Sequence, residues 1–173
     1  MRARRIAVLA ALVLTLLLLQ VSVLPRVAGG GFVPDLLVVL VVVLALEHGP
    51  RTGLWVAGWS GLLLDLSAAT LPLGSSMLVL VTIAYLVGLL RPYVAERADL
   101  TTAILAGIAG ALSSLGQAGT AALLSTQQPP SADVVGWSTL VVGAFAVLLA
   151  PPVLVLVRRT LVRPEVLAAE AGR

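Results

Sequence analysis

The chain has 173 residues, of which 60% are hydrophobic and only 11% charged, and its mean hydropathy is +1.10. Soluble domains carry roughly a quarter of their residues charged, so the composition excludes an ordinary soluble protein and describes an integral membrane protein. There are no cysteines and no lysines; all eleven basic residues are arginines. Disulfides, thiolate metal sites and cysteine nucleophiles are therefore excluded. The net charge of +3 does not point to nucleic acid, because the arginines flank apolar runs and form no patch interleaved with aromatics.

Arg2, Arg4 and Arg5 precede an apolar run over residues 6–24. A basic start before an apolar run also opens a signal peptide, but this one exceeds the usual h-region of about 7–15 residues and is read as a retained first helix. Pro25, Arg26 and Gly29 to Gly31 end it. A second run, 33–46, is uniformly aliphatic and begins with Pro34 and Asp35; a third, 53–71, holds Asp65 near its end. The segment Glu47 to Thr52 joins them. Stopped at their charges, both are short beside the roughly 20 residues of a spanning helix, although the third reaches a comfortable length if it continues to Leu71. A re-entrant hairpin, however, would bury Glu47, His48 and Arg51 in hydrocarbon, so two full spans are the better reading. His48, the single histidine, then lies in a solvated turn. Further spans are expected at 74–90, closed by Arg91 and Pro92, at 100–124, and at 137–157, entered by Trp137 and closed by Arg158 and Arg159. The expected architecture is all-α: one membrane domain, residues 1–173, with six transmembrane helices.

Cytoplasmic loops carry the excess of arginine. With the N-terminus inside, Arg2, Arg4, Arg5, Arg51, Arg91, Arg97, Arg158, Arg159, Arg163 and Arg173 fall on the cytoplasmic side and Arg26 alone falls outside. This bias implies both termini inside and puts Asp35 and Asp65 at the outer face. Each acid lies about 15 residues from the middle of the hairpin turn, roughly 22 Å along a helix, so the hairpin aims two carboxylates at one side of the membrane. A carboxylate in an apolar helix is expensive in lipid and calls for a protein or water neighbour. Asp35 also suits a plain helix start, behind a proline and on the positive end of the helix dipole. Asp65 is too short to snorkel well.

Helices in lipid pack through small residues. Gly53, Ala57 and Gly61 form one such stripe; Ala103, Gly107 and Ala111, beside Ala106, Gly110 and Ser114, form another. Both are read as sites of close helix approach. Gln20, in the outer part of the first helix, is a candidate for a hydrogen bond across helices. No phosphate loop, HExxH or assembled triad is present in the sequence. Two acids near the surface do not resemble an intramembrane aspartate dyad, so neither an enzyme nor a bound cofactor or metal is expected.

Leu19-Gln20-Val21-Ser22-Val23-Leu24-Pro25, Pro34-Asp35-Leu36 ahead of an aliphatic run, Gly61-Leu62-Leu63-Leu64-Asp65-Leu66 and Pro72-Leu73-Gly74, in this order, resemble the rod shape-determining MreD family over roughly residues 19–91. The later spans match that family in hydropathy and length. The resemblance implies a non-enzymatic component of the bacterial cell-elongation machinery in the inner (cytoplasmic) membrane, working with MreC, the MreB cytoskeleton, RodA and a class B penicillin-binding protein in peptidoglycan synthesis. It also implies a fold similar to the S components of energy-coupling-factor transporters. On this basis Pro34, Asp35, Asp65, Pro72 and Gly74 are expected to contribute to a partner-docking surface at the outer ends of the second to fourth helices. The rival reading is a vitamin-binding S component, which requires a polar pocket beneath the outer loops. Its coupling contact would be the small pair Ala7 and Ala11 in the first helix.

Overall fold

The computed structural model describes residues 2–27, 35–67, 74–94, 98–124 and 131–162. These residues are helical throughout, apart from short caps and turns. In chain order the helices are α1 (Arg2–Leu18), α2 (Leu36–His48), α3 (Pro50–Ser67), α4 (Ser75–Val94), α5 (Ala98–Leu124) and α6 (Ala132–Val157). A π-helical stretch, Leu19–Val23, extends α1 into a last helical turn, Leu24–Val27, and a second, Arg158–Val162, extends α6. Of the expected site residues, Pro34 and Pro72 lie outside the described residues.

The bundle is built around α2. Leu36 through Ala45 are all buried, and Leu37 through Ala45 are completely so. A helix that is apolar all round has no face to offer water and is stable only when enclosed. Here α2 is enclosed: it touches α1, α3, α4, α5 and α6. Its thirteen residues span only about 20 Å, well short of a bilayer's hydrocarbon thickness of roughly 30 Å.

A buried helix must close its own ends, because the first four N–H and last four C=O groups have no partner within the helix. At the start, Asp35 Oδ1 accepts from Val38 N at 3.3 Å. At the other end, Arg91 Nε donates to Leu46 O at 2.9 Å, and Arg91 also reaches Glu47 O at 3.5 Å. The helix stops at Gly49, whose φ of 92° is inaccessible to most side chains. The hairpin turn is accordingly tighter than the segment 47–52 expected from the sequence. Helix α2 runs to His48, which is exposed, and α3 begins at Pro50, where proline's missing N–H does no harm.

Among the described residues, four helical stretches are long and apolar enough to cross a membrane: Ile6–Val23, Ser75–Val94, Asp99–Thr120 and Ala132–Thr160. Six were expected. Helix α2 is apolar but short, and α3 is diluted by Gly, Ser, Trp and Asp65. The remaining boundaries move by a few residues: α5 starts at Ala98 rather than 100, and α6 starts at Ala132 rather than 137 and carries Pro151 and Pro152 within it.

Close packing runs through small residues. A Cβ on Gly53 would meet Ala45 Cβ at 2.7 Å, one on Gly61 would strike the backbone of Met77, and one on Gly88 would meet Pro50 Cβ at 2.6 Å. Ala57, between the first two, is fully buried. These contacts lock α3 against α2 and α4. Helices α5 and α6 pair similarly: Gly107 lies against Val147 and Gly143 O, and Gly110 against Ala146. Arg158 ties the arginine-rich end together, holding Glu47 at 2.8 Å and Asp99 at 3.0 Å so that the ends of α2 and α6 meet the start of α5.

Candidate functional site

Because α2 and α3 form an antiparallel hairpin around Gly49, its two acids return to the same end of the bundle. They sit in different surroundings. Asp35 is 7% exposed and Asp65 2% exposed, so neither is a carboxylate simply resting in the interface.

Asp65 caps α4. Its Oδ2 accepts from Gly74 N at 2.9 Å and Met77 N at 3.3 Å, and its Oδ1 accepts from Ser76 N at 3.0 Å. Three backbone donors at a helix N-terminus, where the dipole is positive, satisfy a carboxylate without any cation. Gly74, at φ 98°, supplies the turn that points its amide back at α3. The close approach of Gly61 to Met77 one turn below makes this reach possible. Beside the cap, Ser75 Oγ is buried without a hydrogen bond.

Asp35 is the centre of a network that crosses three helices. Gln20 Nε2 donates to Asp35 Oδ1 at 3.2 Å, and Leu37 N donates to Gln20 Oε1 at 3.3 Å. From α5, Ser113 Oγ donates to Asp35 Oδ2 at 2.9 Å, and Gln117 Nε2 donates to Ser113 Oγ at 3.2 Å. Gln20 lies in the π-helical stretch Leu19–Val23. The extra residue in a π turn shifts the register of the helix beyond it, and Gln20 is the buried residue of that stretch.

The structure thus brings Asp35, Asp65 and Gly74 to one end of the bundle and leaves Gly53, Ala57, Gly61, Gly107 and Gly110 inside it, between helices. It adds Ser113, which had no sequence signal beyond its spacing of four from Gln117. It also adds two arginines that composition assigned to topology alone: Arg91, which closes the carbonyl end of α2, and Arg158, which pairs with the carboxylates of Glu47 and Asp99.

A second feature lies on the outer surface of α3 and α4. A groove of about 400 Å³ runs between them, lined among others by Trp55, Gly58, Trp59, Leu62, Met77 and Val81. Its lining is apolar except for the two indoles.

The arrangement is one of helix packing and capping. No curated relative and no solved structure matches the chain. A family model described as rod shape-determining protein MreD matches residues 2–160, which covers all six helices, both acids and the groove. With its apolar helical bundle and this match over nearly its whole length, the chain belongs to the rod shape-determining MreD family of membrane proteins.

Proposed function

We propose that the chain is a non-enzymatic, multi-pass scaffold of the cell-elongation complex in the bacterial cytoplasmic membrane. It docks partner helices of MreC and of the class B penicillin-binding protein, alongside RodA and the MreB cytoskeleton. Membership of the MreD family carries the role in rod shape. The docking reading rests on one observation: both buried acids are used to order the same end of the bundle, the end that is expected to face outwards from the arginine count. Asp65 fixes the turn into α4 at Gly74, and Asp35 joins α1, α2 and α5. An outer rim ordered in this way suits a platform for a partner's membrane helix or its periplasmic continuation, to which the neighbouring Pro34 and Pro72 are proposed to contribute.

The rival reading, a vitamin-binding S component, is not favoured. The polar groups such a pocket needs, Gln20, Asp35, Ser113 and Gln117, are spent on one another.

Complementation of an MreD-deleted rod-shaped cell, combined with co-purification of MreC, tests the scaffold reading. Asp65→Ala and a bulky replacement at exposed Ser67 (Ser67→Trp) are each expected to lower MreC recovery and round the cells. The second variant leaves the cap intact and so separates docking from folding. Wild-type recovery and shape in both would overturn the reading.

A further inference from the structure

A carboxylate enclosed in an apolar bundle is normally paired with a cation or placed to exchange a proton. Asp35 has no cation. Its bonds come from Gln20 Nε2, Val38 N and Ser113 Oγ, and among the described residues no charged side chain faces it. Glu47, His48, Arg51, Arg91, Asp99 and the Arg158 and Arg159 pair belong to the opposite end of the bundle. On α3, the Asp65 carboxylate is engaged by the start of α4. Arg26, on the extension of α1, and Asp133, at the start of α6, are exposed.

The two buried acids differ in what their partners can do. The three donors on Asp65 are backbone N–H groups, which accept nothing, so a proton on that carboxylate finds no acceptor among them. Two of the donors on Asp35 are side chains. A serine hydroxyl carries one hydrogen and two lone pairs. Ser113 Oγ accepts from Gln117 Nε2 at 3.2 Å and gives its hydrogen to Asp35 Oδ2 at 2.9 Å. That hydrogen can turn instead to the carbonyl four residues back in its own helix, as Ser60 Oγ does toward Val56 O in α3 at 2.6 Å. The second lone pair is then open to an Asp35 O–H. One hydroxyl rotation thus converts the site from holding a carboxylate to holding a carboxylic acid, with no hydrogen bond lost at Asp35. Enclosure penalises the charged form and the three donors favour it, so neither form is excluded by its surroundings.

We propose that Asp35 is a reversible proton-binding site and that its protonation loosens the end of α1. The proton comes from the solution at the acid-bearing end of the bundle, where Gln117 is half-buried, and returns there as pH rises. One O–H bond forms at Asp35 Oδ2, and no other covalent bond is made or broken. Hydrogen bonds to an ionised acceptor are about twice as strong as those to a neutral one, so the bond from Gln20 Nε2 weakens when the proton binds. Gln20 is the buried residue of its π-helical stretch, whereas Val21, Ser22 and Val23 are exposed. The contact made by Gln20 therefore holds this part of α1 to the bundle. Its grip is firm at high pH and slackens as pH falls, whether or not that end of the bundle docks a partner.

The test is infrared difference spectroscopy of the full chain in lipid nanodiscs, titrated from about pH 8 to about pH 4, together with hydrogen exchange over residues 21–26. Acidification raises the carbonyl stretches of protonated carboxyl groups. One component is expected to vanish in Asp35→Asn, to remain in Asp65→Asn, and to shift in frequency in Ser113→Ala, which removes the acceptor of the acid hydrogen. Exchange at 21–26, corrected for its intrinsic pH dependence, is expected to rise by roughly threefold to tenfold on acidification. Gln20→Leu is expected to keep the carboxyl component and to abolish the exchange response. It leaves the acid itself untouched, so the proposal stays testable even where Asp35→Asn folds poorly. No component lost in Asp35→Asn, the same component lost in Asp65→Asn, an unshifted component in Ser113→Ala, or an exchange response that survives Gln20→Leu would overturn the proposal.

Discussion

Gln20 and Asp35 are paired so that a side chain from one helix completes the first turn of another: Gln20 donates to the Asp35 carboxylate and takes the amide of Leu37 in return. In lipid, such bonds across helices contribute about 0.6 kcal/mol on average and seldom more than about 1.7 kcal/mol. This one does double duty, because Leu37 N belongs to a fully buried helix start. Gln20→Leu is expected to destabilise the bundle by about 1–2 kcal/mol. A double-mutant cycle with Asp35→Asn, read by thermal unfolding in detergent, should give a coupling above about 0.5 kcal/mol. Strict additivity would show that the pair is incidental.

Removing the Asp65 carboxylate leaves the amides of Gly74, Ser76 and Met77 without their acceptor. Asp65→Ala is expected to lower stability by about 2–3 kcal/mol, above the usual effect of about 1 kcal/mol for a lost cap because the site is buried. Hydrogen exchange should localise the loss to the first turn of α4. Unchanged protection at Ser76 and Met77 would contradict the capping role.

Two glycines three residues apart on α3 should behave oppositely. Gly61→Ala drives a methyl into the Met77 backbone, and overpacking of this kind typically costs about 1–3 kcal/mol. Gly58→Ala meets only a distant side-chain methyl and should be neutral or slightly stabilising, since alanine is favoured over glycine in a helix interior by up to about 1 kcal/mol. Equal melting shifts for the two would mean that α3 faces its neighbours in a different rotation.

Gly49 ends α2 with φ 92° and ψ 167°, a region that is nearly glycine-only and costs other residues about 1–3 kcal/mol. A methyl there would also press on the Arg91 guanidinium at 3.3 Å, the group that closes the α2 carbonyls. Gly49→Ala is therefore expected to be destabilising, and Arg91→Ala should mask part of its effect in a thermal double-mutant cycle.

The native chain has no cysteine, so single introduced cysteines report topology without background. Ser67→Cys, at the acid-bearing end, is expected to react with a membrane-impermeant maleimide in intact spheroplasts. Arg51→Cys, at the opposite end of α3, should react only after permeabilisation. The reverse pattern would invert the bundle and move the proposed docking rim to the cytoplasm.

Much of this architecture is legible in the residues. Runs of apolar residues punctuated by Arg, Pro and Gly mark all six helices, and the equal spacing of Asp35 and Asp65 from the Gly49 region brings the two acids to one end. The stripe Gly53, Ala57, Gly61 announces a close approach, though not which helix approaches. Partners distant in sequence have no such signature. Arg91 closes a helix that ends more than forty residues earlier, and Arg158 reaches Glu47 over a still longer separation. The two indoles of α3 carry no signal of a groove either, because along the chain they are simply aromatic.

By itself the sequence determined the solvent, the secondary structure and the expected orientation: hydropathy marked the helices that lie in lipid, and arginine counting indicated which way they point. Only the tertiary structure decided which apolar helix is the core. A leucine against lipid and a leucine against another leucine are equally content, so hydropathy cannot distinguish α2, wrapped by five neighbours, from a helix on the rim. What separates them is geometry: where the glycines admit a neighbour, where a π turn places Gln20, and which buried backbone ends Asp35, Asp65 and Arg91 are close enough to satisfy.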